Sequence, residues 1–267
     1  PAMTAARFAQ AVERSSSGRA VNQKLAQLLI DVIRSQGVAV FGNVTIAILL
    51  ACIVSAAYAA NTQQPLLDAH TVAYQMKSVD IITQPTLWYA AIAGLWLFCS
   101  GIIAGFFDNR ADYLDLRNRL TINPLLRKIM PAKARHAFAA YMHRHYGSLT
   151  GNFIFGMLLG MTGFFGHLLD LPLDIRHVAF SSANLGYAVV SGNLGAKAFL
   201  LGLAGVLAIG AVNLMVSFTL ALFVALRSRG TKISSISKLL NSVWTQIKAN
   251  PLLLVYPVQA KDGQENK

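Results

Sequence analysis

The chain has 267 residues, 55% of them hydrophobic and only 13% charged, with a formal net charge of +12 and a mean hydropathy of +0.50. A soluble domain of that composition would leave too much apolar surface in water, so the soluble globular class is excluded. The two cysteines, Cys52 and Cys99, both fall in apolar runs, which excludes a disulfide framework and a zinc-ligand spacing; no metal and no cofactor are expected.

In chain order, residues 1–37 read as a cytoplasmic juxtamembrane segment. Leu25, Leu28, Leu29, Val32 and Ile33 recur at helical spacing with Lys24, Asp31 and Arg34 on other faces, which predicts an amphipathic helix ending at Gly37. The run 15–18 should separate it from an earlier helical piece. The chain starts at Pro1 rather than Met, and its first apolar run is longer than a signal-peptide core. It is therefore expected to be the C-terminal part of a longer protein, with no cleavable signal and with an N-terminal part of the same protein as a partner.

Four apolar runs free of Lys and Arg follow, at about 38–60, 86–107, 153–171 and 198–226. At about 1.5 Å per residue each crosses a hydrocarbon core of roughly 30 Å. Twenty Lys and Arg fall on one side of these runs and three, Lys77, Arg176 and Lys197, on the other. Acidic residues divide seven to four, which leaves about +13 against −1. This is the positive-inside pattern, with both termini cytoplasmic. The basic excess is first a topology signal and a means of lying on anionic lipid.

The cytoplasmic loop 108–151 opens with Asp108, Asp112 and Asp115, spaced to share one helix face. A metal or acid cluster and a solvated face with an Asp115–Arg119 pair are the two readings. Further on, Arg135, His136, Tyr141, His143, Arg144, His145 and Tyr146 form a basic and aromatic cluster. The two-residue offset of His143 and His145 points to an interfacial belt rather than a metal site. Inside the runs, Gly101-x-x-x-Gly105, Gly156-x-x-x-Gly160 with Gly163, and Ala198-x-x-x-Gly202 make small-residue stripes for close helix packing within the bundle or between copies in a homo-oligomer. Asn213 and Ser217, one turn apart, can form an interhelical hydrogen bond worth roughly 0.6 kcal/mol.

Residues 166–177 hold the densest chemistry. There His167 should approach Asp170, and Asp174 should approach His177, on helical spacing. Buried, with Arg176 nearby, such pairs relay protons or hold a cation; at the interface they are solvated anchors. The next stretch, 178–190, is apolar but short and includes Ser181, Ser182 and Asn184. As a fifth span it would put the last seven basic residues outside, so a re-entrant or interfacial half-helix in the outer loop 172–197 is expected. Residues 227–267 form a cytoplasmic basic tail. In it Ile233, Ile236, Leu239, Leu240, Val243 and Ile247 make an amphipathic stripe beside Lys232, Lys238 and Lys248, stopped at Asn250-Pro251. The fold class is all-α: a polytopic transmembrane bundle of about four spans over 38–226, with the half-helix and amphipathic juxtamembrane helices added.

The run Leu171-Pro172-Leu173-Asp174-Ile175-Arg176-His177-Val178-Ala179-Phe180-Ser181-Ser182-Ala183-Asn184, with Gly151-Asn152-Phe153 and Gly156-x-x-x-Gly160-Met161-Thr162-Gly163 upstream, resembles the bacterial membrane family called "site-specific recombinase" (Gcr type). The resemblance covers most of the chain and corresponds to that family's C-terminal membrane portion. It implies DNA recombination by name, DNA as a partner and a bacterial inner-membrane location. The residues themselves supply neither recombinase constellation. None of the six histidines has Arg three positions later, and Arg14-Ser15-Ser16-Ser17 lacks a serine recombinase's soluble α/β setting. Three roles follow: a DNA-associated membrane protein of this family, a transport or envelope-maintenance protein with a polar Asp/His site at the outer face, or a membrane anchor for a preceding domain.

Overall fold

Long apolar runs become long helices because a backbone in hydrocarbon must satisfy its hydrogen bonds within its own segment. The computed structural model describes residues 2–13, 19–230 and 236–256. Among these the chain is all-α: α1 Ala2–Glu13, α2 Arg19–Thr62, α3 Ala69–Ser78, α4 Thr86–Tyr113, α5 Leu116–Ile122, α6 Pro124–Ile129, α7 Ala132–Leu168, α8 Val178–Ser191, α9 Ala196–Ser228 and α10 Ile236–Ala249, then a 3-10 turn at Pro251–Leu254. Four stretches are long and apolar enough to cross a bilayer: Leu25–Thr62 within α2, and α4, α7 and α9. The molecule is a polytopic α-helical membrane protein. Leu49, Leu50, Ile53, Phe164, Leu200 and Phe223 stand exposed on these helices, a surface suited to acyl chains, which are as apolar as leucine.

Several boundaries differ from the sequence expectation. Helix α2 runs through Gly37 without a break. An interior glycine costs roughly 1 kcal/mol against alanine, and packing on both sides outweighs that. On one side Arg34 donates to the carbonyls of Leu253 and Tyr256; on the other Val40 and Val44 join the apolar core around Val178. The break expected at 15–18 lies outside the described residues. Helix α7 starts well before residue 153, at Ala132, and ends at Leu168, so 169–171 are not part of the third span. Asp115 does not share a face with Asp108 and Asp112: α4 stops at Tyr113, and Asp115 takes a φ of 46° between α4 and α5, a left-handed conformation that Asp tolerates better than most residues.

The helices stand as a row in which α7 packs on α4, α4 on α9, α9 on α8, and α8 on α2. Helices α2 and α9 barely touch. At one end α8 is wedged between them. At the other, Phe8 of α1, Leu25, Ala26 and Ile30 of α2, and Leu239 and Val243 of α10 form a second core that reaches Leu222 of α9. The tail stripe is thus a helix docked on its neighbours through Leu239 and Val243, while Leu240 and Trp244 stay exposed; Lys232 and Ile233 lie outside the described residues. Between the two wedges an apolar cleft of about 490 Å³ remains, with Val40, Phe41, Leu207 and Met215 on its walls.

The expected glycine stripes are not the ones that pack within the chain. Gly105, Gly156, Gly160 and Gly163 meet nothing within 4 Å. The α4–α7 contact uses Gly147 and Gly151 instead: a Cβ on Gly147 would land on the Ala104 carbonyl and the Asp108 carboxylate, and one on Gly151 would lie 2.8 Å from the Ala104 methyl. Trp96 Nε1 ties the same pair together by donating to Thr162 Oγ1 at 2.8 Å. The Ala198-x-x-x-Gly202 stripe does pack, with Gly202 against Leu185 of α8.

Candidate functional site

Residue 213 organises the middle of the bundle. Asn213, 1% exposed, lies about 25 Å along α9 from Ala196. Its Nδ2 donates to the carbonyls of Ala90 at 2.7 Å and Arg176 at 3.0 Å, and its Oδ1 accepts from the Val178 amide at 3.0 Å. One amide thereby holds α9, the opening turns of α4 and the start of α8 together. It also satisfies the amide at the tip of α8, a group with no partner inside its own helix. Ser217, one turn on, is fully buried, and its hydroxyl has no hydrogen-bond partner among the described residues.

The chain from 169 to 177 is a strap that turns back into the bundle. Its upper part rests on Gly166, where the Leu173 carbonyl fills the space that a Cβ would take. Its lower end brings His177 edge-on between Phe155 and Phe180, at 5.1 and 5.7 Å between ring centroids. Phe155 lies about 20 Å down α7 from Leu168. From there α8 climbs beside α2, with Gly186 against Ile48 and Ala51 and Ser191 Oγ 3.0 Å from Ser55 Oγ. The expected half-helix is therefore a helix packed inside the bundle.

Arg176 is the charged group that this strap carries into the bundle. Its amide donates to the Tyr89 carbonyl, its Nε donates to the Ser78 carbonyl at 3.0 Å, and its Nη1 donates to Asp174 Oδ2 at 2.6 Å. The guanidinium carbon lies 5.6 Å from the centre of the Tyr89 ring. Asp174 also accepts from the Ile175 amide. The pair is part-buried, with side-chain exposures of 14% for Arg176 and 36% for Asp174, a setting in which a charge must be matched to be tolerated. Beside it the loop 79–85 is folded around Asp80. The Thr83 hydroxyl, with the Ile82 and Thr83 amides, holds that carboxyl below the usual carboxylate range.

The Asp/His cluster expected at the outer face therefore divides. Asp174 pairs with Arg176 rather than His177, because 174–177 is not helical. His167 and Asp170 remain exposed at the head of α7, where Asp170 has a φ of 50°. Ser181 and Ser182 are buried on α8, where Ser182 donates back to the Val178 carbonyl, and Asn184 is half-buried. Lys77, Thr86 and Tyr89 border Arg176 and carried no sequence signal; each is the wrong distance along the chain for any motif.

At the basic end Asp108, Asp112, His143 and Arg144 do meet, with Arg117 added, around a cavity of about 330 Å³. Asp108 Oδ1 accepts from the Gly147 amide at 2.9 Å, a structural tie between α4 and α7. Asp112 Oδ1 is 3.2 Å from His143 Nε2, and His143 Nδ1 is buried without a partner among the described residues. His145 instead lies against Tyr141, Arg135 Nη1 donates to the Met130 carbonyl, and His136 is exposed, as is Asp115. Among the described residues no three His, Cys, Asp or Glu side chains gather as a metal site.

The family model for "Site-specific recombinase" matches residues 1–257. The chain belongs to that family. No curated protein and no solved structure matches it. Strand exchange by a site-specific recombinase places a nucleophilic hydroxyl among cations that stabilise charge on the phosphate. In this site-specific recombinase family member the basic cavity has the cations, Arg117 and Arg144, but its walls carry two aspartates and no Tyr or Ser. Of the nearby tyrosines, Tyr113 is 87% exposed at the end of α4, and Tyr146 stands edge-on to Phe107.

Proposed function

We propose that this protein lies in the bacterial cytoplasmic (inner) membrane with its basic end in the cytoplasm. It serves transport or envelope maintenance through the Arg176 site at the outer end. The observation that carries this reading is the Asp174–Arg176 pair drawn into the bundle and hung from Asn213. Ionisable groups in such a setting are costly to keep and mark pathways or binding sites. The distribution of twenty basic residues against three supports the orientation. At the basic end the exposed Trp244, with Lys248 Nζ 5.2 Å from its ring centre, suits an interface rich in anionic lipid.

The alternative, a DNA-associated role, rests on the family's description and the basic end. Two expected results separate the readings. In a Cys52→Ala/Cys99→Ala background, a cysteine at the exposed position 170 should react with a membrane-impermeant thiol reagent on intact spheroplasts, and one at position 228 should not. The reverse pattern would put the Arg176 site in the cytoplasm and overturn the orientation. Second, Asp174→Asn, expressed at wild-type level in a deletion strain, should leave it as sensitive to bile salts and hydrophobic antibiotics as the empty vector does. Full complementation by that variant, together with DNA retention by the purified wild-type protein that falls steeply with salt, would replace this reading with the DNA-associated one.

A further inference from the structure

The polar cavity between the end of α3, the start of α4 and the strap is the feature of this site whose chemistry points to a ligand. It measures about 160 Å³ and is walled by Tyr74, Lys77, Gln84, Thr86, Tyr89 and Arg176. That is well under the roughly 300 Å³ at which sites for whole drug-sized molecules begin, so it takes a group rather than a molecule.

Its lining is biased toward donors. The Ser78 carbonyl in its wall is already occupied by Arg176 Nε and the Thr86 hydroxyl. No carboxylate lines it. Of the two nearest in sequence, Asp174 is engaged by Arg176 Nη1 and the Ile175 amide, and Asp80 is closed within its own loop by the Ile82 amide and Thr83. Two cationic donors are left over: Arg176 Nη2 and Lys77 Nζ make no hydrogen bond among the described residues. Asp174 neutralises one of these cations and leaves a net positive cavity.

We propose that this cavity binds an anionic phosphate group, held by Lys77 and Arg176. A planar guanidinium fixed by other contacts and a mobile ammonium together match a tetrahedral oxyanion. The inference rests on the functional reading above, and specifies its ligand class. The same chemistry is offered by a phospholipid headgroup and by a soluble phosphate compound.

The test uses the full chain purified in detergent. Retention of phosphatidylglycerol and phosphatidylcholine is measured by native mass spectrometry, and binding of inorganic phosphate by calorimetry, for wild type, Lys77→Gln and Lys197→Gln. Lys77 is exposed and its ammonium makes no hydrogen bond among the described residues, so its variant should melt close to wild type. Lys197, also exposed at the same end, controls for general charge. Preferential retention of phosphatidylglycerol, weakened about tenfold by Lys77→Gln and untouched by Lys197→Gln, supports a lipid headgroup. The same Lys77 dependence with inorganic phosphate alone supports a soluble phosphate compound. Equal binding by wild type and Lys77→Gln, or equal retention of the two lipids with no phosphate binding, overturns the proposal. In that case failure of Asp174→Asn to complement would still sustain the outer-end role, so the two ideas fail separately.

Discussion

Replacing Asn213 with leucine should destabilise the protein by about 2–4 kcal/mol, read as a lower thermal midpoint in detergent. Side-chain hydrogen bonds in membrane proteins contribute about 0.6 kcal/mol on average and up to about 1.7. Asn213 makes three of them. Loss of the side chain also strands the Val178 amide and the Arg176 carbonyl in an apolar interior, and a buried unsatisfied group costs roughly 1–3 kcal/mol. Leucine is close in size, so the loss would come from hydrogen bonding and not from a cavity. Asn213→Asp should be at least as harmful: it keeps an acceptor for Val178 but turns a carboxylate toward the carbonyls of Ala90 and Arg176. The effect should also be local in origin. A cysteine at the buried position 181, three residues past the clamp, should react with thiol reagents faster in the Asn213→Leu background. A leucine variant that melts with wild type and leaves position 181 protected would show that the strap is held by something other than this amide.

Gly147→Val should cost a similar 2–4 kcal/mol, and here the cause is steric. Its Cβ would occupy the space of the Ala104 carbonyl and the Asp108 carboxylate. Backbone cannot move aside as a flexible side chain can, so α7 must separate from α4. Overpacking of this kind costs about 1–3 kcal/mol, and the bond from the Gly147 amide to Asp108 is lost with it. Gly156→Val on the same helix is the control. Nothing lies within 4 Å of Gly156, so that variant should stay within about 0.5 kcal/mol of wild type. Comparable melting of the two variants would mean that α4 and α7 do not approach as described.

The contrast between these two glycines explains why part of the molecule was readable and part was not. A glycine stripe announces that a helix can be approached closely; it does not say whether a neighbour arrives. Gly147-x-x-x-Gly151 and Gly156-x-x-x-Gly160 have the same spacing, yet only the first faces α4, where Asp108 supplies a polar tie. The acidic trio failed for a related reason. Spacing places Asp108, Asp112 and Asp115 on one face only if the helix continues, and it stops at Tyr113. Likewise Asp174 and His177 would meet on a helix, but the segment is not helical, and Arg176 takes Asp174 instead.

Local properties were decided by the sequence alone. Length and apolarity of a run determine whether its backbone can satisfy itself across a bilayer, and basic residues flanking each run set the two ends of the molecule apart, so the four spans, the all-α class and the shortness of 178–190 needed no tertiary information. Asn213 was legible as a polar residue in a span. Its partners were not, since they lie 35, 37 and 123 positions away, and no periodicity along one helix encodes contacts at those separations. Tertiary structure decided that the strap turns inward to meet Asn213, that α8 fills the gap between α2 and α9, and that Arg176 and Lys77 line one cavity. Those contacts depend on three helices closing on one buried amide, a condition met only when the whole bundle has packed.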